Sequence, residues 1–221
     1  MITGIIVTAL FFRLYRLEEL MVFSGETNVL LYYIESYLAG GKPWLLGLEA
    51  ASYTHHLFHS PWYLWMMIPV YFAGGGNPLV FAVFQAAIGA FGSYLMWRIG
   101  LMLGSRKIGL LAAFGYASSF HLSIVERFVS PVSMVPFGEI GIIYFGLMAK
   151  RQQKKLDYFL LGLWAGIAVS FHYALLLGAL SVLGWVFWKQ KKFFWLSFGG
   201  VILSFSPLLL FDLRHGFFNL T

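Results

Sequence analysis

The amino-acid sequence predicts an all-α protein: a polytopic transmembrane helical bundle of about seven spanning helices, with interfacial helices in its first outer loop. Three observations point there. The 221 residues are 60% hydrophobic and 11% charged, whereas soluble domains carry about 25% charged residues. The mean hydropathy is +0.77, more apolar surface than a soluble core of this length can absorb. The basic residues sit in short clusters between apolar runs, as the turns of a membrane bundle require. In hydrocarbon the backbone must satisfy its own hydrogen bonds, and a single helical module over residues 1–221 does so.

The first apolar stretch, 2–12, has no basic lead-in and runs into Arg13 and Arg16 rather than a small-residue cleavage site. It reads as a short retained span, not a signal peptide. Stretches 78–97, 108–123, 131–149, 158–170, 173–188 and 193–211 follow as further spans. Several fall below the roughly 20 residues an untilted crossing needs, so their ends borrow from aromatic or snorkelling neighbours.

Segment 61–74 is equally apolar but has the length of a re-entrant or interfacial helix. Charge decides its status. Only if it does not cross do Arg98/Arg106/Lys107, Lys150/Arg151/Lys154/Lys155 and Lys189/Lys191/Lys192 fall on the inner side. The N-terminus is then inside, and the histidines and most acids gather on the outer side. The first outer loop, 21–77, is too long and too aromatic for a simple connector. Within it, 27–38 sets Val29, Leu30, Tyr33, Ile34 and Leu38 on one face and Glu35 on another, the spacing of an amphipathic helix ended by Gly40 and Gly41.

A net charge of +6 and a pI near 9.5 invite a nucleic-acid reading. The clusters follow topology rather than one basic face, so no nucleic-acid partner is expected. The chain has no cysteine, which removes disulfides and thiolate metal sites.

The outer polar residues are the candidates for chemistry. Glu26, in Phe23-Ser24-Gly25-Glu26-Thr27, has two readings: it or Ser24 caps the following helix, or it acts as a general base toward an acceptor hydroxyl. His55, His56 and His59 resemble a metal cluster, with His55 and His59 on one face if that stretch is helical. No third ligand is fixed by spacing and Pro61 limits the helix, so no metal or other cofactor is predicted and hydrogen bonding to lipid headgroups or phosphate is preferred. Arg127 either binds an anionic phosphate by a bidentate contact, or pairs with Glu126 or snorkels. Asp212, Arg214 and His215 form a second outer polar knot placed to meet phosphate. Glu139 sits inside an apolar helix, where an acid is expensive unless paired and is functional by default. His172 ends a helix and serves either the site or interfacial anchoring.

In order, these features resemble the polytopic GT-C glycosyltransferases, especially the dolichyl-phosphate-mannose protein mannosyltransferase and aminoarabinose transferase group. The shared order is a short first helix with an Arg-rich end, an acidic motif opening the outer loop, an amphipathic helix, a His-x-Pro segment, then paired helices with inner basic turns. Gly25-Glu26-Thr27 looks like the group's Gly-Asp-Glu, His59-Ser60-Pro61-Trp62 like its His-Pro-Pro-Leu, and Glu126-Arg127 sits where a Ser-Arg element is often found. Glu26 replaces the leading Asp, Thr27 replaces the second acid, and an Arg common before the next helix is absent around Ala82, Val83 and Phe84.

The resemblance implies an inverting transferase of the plasma membrane and cell envelope, with its active site on the non-cytoplasmic side. Its donor would be a polyprenyl-phosphate sugar embedded in the lipid bilayer. Glu26 would be the catalytic base, with Arg127, Arg214, His215 and His59 meeting the donor phosphate; the acceptor is open. The family generally carries more helices or a soluble domain after this module, so the resemblance implies the N-terminal part of a longer protein. Rival expectations are a lipid-linked sugar transporter, motivated by Glu139, and a non-catalytic membrane scaffold.

Overall fold

A computed structural model describes residues 1–40, 44–50, 57–188 and 191–219. The expectations for His55, His56 and Lys189 lie outside these. Among the described residues the secondary structure is helical, with two isolated β-bridges and no named strand. The order is α1 (Ile2–Leu14), α2 (Leu17–Leu20), α3 (Gly25–Gly40), α4 (Trp62–Gly74), α5 (Pro78–Leu103), α6 (Arg106–Ala117) and α7 (Phe120–Val125). A 3-10 turn (Pro131–Met134) then leads into α8 (Val135–Gln152), α9 (Lys155–Phe171), α10 (Leu175–Phe187) and α11 (Phe194–Arg214).

Three of these stretches are long and apolar enough to cross a membrane: Pro78–Leu103, Pro131–Gln152 and Phe194–Arg214; α1 and α10 are apolar but shorter. This is the architecture of a membrane protein. At 1.5 Å per residue, the 26 residues of α5 rise about 39 Å, beyond the roughly 30 Å of a hydrocarbon core. It runs past its expected end at 97, so Arg98 lies within it and donates to the Tyr94 hydroxyl at 2.9 Å instead of joining the following turn.

The stretch 108–123, expected as one helix, is broken. Ser118 bonds back to the Phe114 carbonyl at 2.8 Å, and the Ser119 hydroxyl accepts from Leu122 N–H to start α7. Consecutive serines give the backbone local alternatives to a continuous ladder.

Close packing rests on glycine. A Cβ at Gly162 or Gly200 would enter the facing backbone, at Ser197 and Phe159 respectively, so α9 and α11 touch main chain to main chain. Small residues permit that approach, which is how helices associate in lipid. Pro207, inside α11, removes the N–H that would satisfy the Leu203 carbonyl, and Ser206 Oγ donates to it instead at 2.8 Å.

The outer-loop helices are less peripheral than expected. Leu30 and Ile34 of α3 and Tyr63, Leu64 and Met67 of α4 are buried in one core with Phe81, Val129 and Phe171. Val29 and Leu38, assigned to the same apolar face of α3, are exposed. Beneath this core, buried Gln85 donates from Nε2 to Tyr63 Oη, to the Ser130 carbonyl and to Ser133 Oγ, tying α4, α5 and the 3-10 turn together.

Candidate functional site

Four connecting regions of the bundle build a half-open cavity of about 470 Å³. The first supplies Glu26, in the opening turn of α3. Thr27, standing where the family motif has its second acid, is fully buried and donates to the Val129 carbonyl at 3.3 Å while accepting from Ser24 N–H. It anchors the start of α3 and leaves Glu26 exposed at the cavity. The Ser24 hydroxyl, a proposed cap, is buried at the cavity wall and has no hydrogen-bond partner among the described residues.

His59 arrives on a short antiparallel turn-back. Gly47 N–H donates to the His59 carbonyl at 2.7 Å, His59 N–H to the Leu48 carbonyl at 3.0 Å, and Ala50 N–H to the Leu57 carbonyl at 2.8 Å. A Cβ at Gly47 would lie 2.7 Å from the Ser60 carbonyl oxygen, so the two arms meet this closely only with glycine there. Ser60 Oγ and Trp62 Nε1 both donate to the Ser204 carbonyl of α11, at 3.1 and 2.6 Å, pinning the His-Ser-Pro-Trp segment. The same turn-back brings Glu49 to the cavity. The cavity thus has a second carboxylate, from a position no motif marks.

The connector between α9 and α10 supplies His172 and Tyr173. The Tyr173 ring stacks on His59 with centroids 4.5 Å apart, and its hydroxyl donates to the Phe58 carbonyl at 2.7 Å. Burial, reinforced by nearby His172, holds His59 down at about 4 from its ordinary 6.5. The imidazole is therefore neutral at pH 7, and its Nδ1 is buried without a partner among the described residues. Burial and the charge of Asp212 push the Tyr173 hydroxyl up to about 12, so it remains a donor. His172 Nδ1 accepts from Ala174 N–H at 3.1 Å, which places the proton of its neutral form on Nε2. Val29, Leu48, Phe128 and Phe171 complete an apolar wall.

Other predicted residues lie elsewhere. Arg127 donates from Nε to the Arg13 carbonyl and from Nη2 to the Phe12 and Tyr15 carbonyls, closing the C-terminus of α1. It borders a separate cavity. Glu126 does not pair with Arg127: it forms a buried ion pair with Arg13 and accepts from Tyr116 Oη at 2.6 Å. Burial pushes the Glu126 carboxyl up, while the guanidinium and the tyrosine hydroxyl pull the other way. Arg13, which the sequence marked only as the end of a span, is thus a buried hub that also donates to the Ala9 and Ala117 carbonyls.

The Asp212 knot is divided. Asp212 is buried and accepts from Asn219 N–H and Nδ2, folding the chain end back, while Arg214 and His215 are exposed. His215 stacks on Phe211 and bonds its carbonyl, one turn back along α11. Glu139 is exposed on the surface of α8, past its first turn and within the apolar stretch Pro131–Gln152. Among the described residues no group of three or more His, Asp or Glu is placed to hold a metal.

No family model, curated protein or solved structure matches the chain. What the structure offers is the cavity itself, which joins two carboxylates, two imidazoles and an apolar wall.

Proposed function

We propose that this chain is a membrane glycosyltransferase module of the GT-C type, which moves a sugar from a polyprenyl-phosphate donor to an acceptor hydroxyl. One observation carries the reading: Glu26 and His59, from the two motifs that resemble that family, line the same cavity at the mouth of an apolar bundle. In this reading the bundle crosses the bilayer seven times, through α1, α5, α6 with α7, α8, α9, α10 and α11. The positive-inside rule supports that count, because the turns bearing Arg106 and Lys107, Lys154 and Lys155, and Lys191 and Lys192 then share the inner side. The cavity-lining connectors share the outer one, in the plasma membrane.

Glu26 takes the proton of the acceptor hydroxyl as its oxygen attacks the anomeric carbon, and the bond from that carbon to the phosphate oxygen breaks with inversion. The leaving phosphate keeps the electron pair and needs donors. His172 Nε2–H, the neutral His59 ring and the Ser24 hydroxyl are donors that line the cavity; Arg127, Arg214 and His215 do not line it. Glu49 is a second carboxylate for orienting the acceptor. The alternative is a lipid-linked sugar transporter, motivated by Glu139, which is exposed on α8 within the apolar stretch Pro131–Gln152.

The test is label transfer. Membranes carrying the chain, given a panel of radiolabelled polyprenyl-phosphate sugars, should pass label to an acceptor. A monodisperse protein that transfers none of them would contradict the proposal.

A further inference from the structure

The second cavity, about 500 Å³ between α1, α2 and the α6–α7 break, shares no lining residue with the Glu26 cavity. Phe12, Tyr15, Leu20, Phe120 and Ile124 form its apolar wall, and they are open to the surroundings: Tyr15 is 53% and Phe120 79% exposed. Its lining holds one charged group, Arg127, and no acid.

Arg127 is held rigidly. Three hydrogen bonds to the last carbonyls of α1 fix the guanidinium plane, while Nη1 has no partner among the described residues. Neighbouring charges do not neutralise it, since Glu126 is taken by Arg13 and Glu19 by Arg16. A cation fixed beside an aromatic and aliphatic wall, at the end of a membrane bundle, has the chemistry of an anionic-lipid site. The fixed plane also means little side-chain freedom is lost on binding.

We infer that this cavity binds an anionic phosphodiester lipid, with a non-bridging phosphate oxygen on Arg127 Nη1 and an acyl chain along Phe12, Leu20 and Phe120. The lipid is a resident one rather than the reacting donor. The two cavities share no lining residue, and Arg127 lines only the one without Glu26. The site bridges α1 to the connector that carries Phe128 and stiffens that contact whether or not the protein transfers sugars.

The test is native mass spectrometry of the full chain released from detergent with phosphatidylglycerol or phosphatidylcholine of matched acyl chains. Wild type should retain phosphatidylglycerol about fivefold better, the order of preference that one charge-assisted contact confers. Arg127→Gln should bring the two lipids to parity. Because Arg127 also closes α1, Leu20→Trp supplies an independent arm: Leu20 is 45% exposed and takes no part in that closure, and the indole should block the cavity and abolish the adduct in a folded protein. Equal retention of both lipids by wild type, or an unchanged adduct in folded Leu20→Trp, would overturn the site. Displacement by inorganic phosphate would make it an anion site without a lipid, and preferential binding of a polyprenyl phosphate would make it a donor site; either result overturns the inference.

Discussion

Acidification is expected to destabilise the fold through His59. Its imidazole sits at about 4 in the folded protein against an ordinary 6.5, chiefly because burial penalises the charged form. Between those values the unfolded chain binds a proton that the folded chain refuses, so stability rises with pH across that window. The contribution is complete above about 6.5 and is lost as pH falls toward 4. The full difference corresponds to about 3 kcal/mol, of which about 2 kcal/mol is gone at pH 5. For a chain of this size each kcal/mol moves the midpoint by about 2–4 °C. Thermal unfolding in detergent at pH 7.5 and pH 5, for wild type and His59→Gln, isolates the effect because other titrating groups are common to both. Wild type should lose about 4–8 °C more than the variant on acidification. Equal losses, or an imidazole found protonated at pH 5.5 by NMR, would refute the burial argument.

Two further outcomes follow from the packing. Arg13→Met strands the Glu126 carboxylate in a buried site and should destabilise the protein by about 3–5 kcal/mol, whereas Arg13→Met with Glu126→Leu should recover much of that loss; thermal melts of the single and double variants decide, and a double variant no better than the single would contradict the pairing. Gly162→Leu should prevent α9 and α11 from meeting at Ser197 and abolish monodisperse protein, read by size-exclusion chromatography in detergent, while Gly184→Leu, at an open position on α10, should leave the profile unchanged.

The helical class was legible because composition and run length dominate in a membrane protein, and the amphipathic spacing of α3 and the apolar run of α4 marked both helices. The amphipathic pattern of α3 could not show that its partner was a protein core: Leu30 and Ile34 read the same facing lipid or facing Phe81. Glu26 and His59 stood out by residue type and local motif, whereas Glu49 reaches the cavity through a turn-back that only Gly47 permits and no periodicity signals. Charge partners were the least legible. Glu126 has an arginine beside it in sequence, yet its counter-ion is Arg13, 113 residues away, and the adjacent Arg127 is drawn off by the electron-rich carbonyls ending α1. The serine pair that splits α6 from α7 was visible, but serines in an apolar run often bond back without breaking a helix.

On the proposed function, Glu26 is the base of a sugar transfer. Transfer from a polyprenyl-phosphate sugar should be measured for wild type, Glu26→Gln and Glu18→Gln, the last removing an exposed acid that does not line the cavity. With all three equally monodisperse and equally stable, Glu26→Gln should lose about 10²–10⁴-fold in rate, the contribution of a positioned general base, while Glu18→Gln should transfer as wild type does. Undiminished transfer by Glu26→Gln would remove Glu26 from the mechanism.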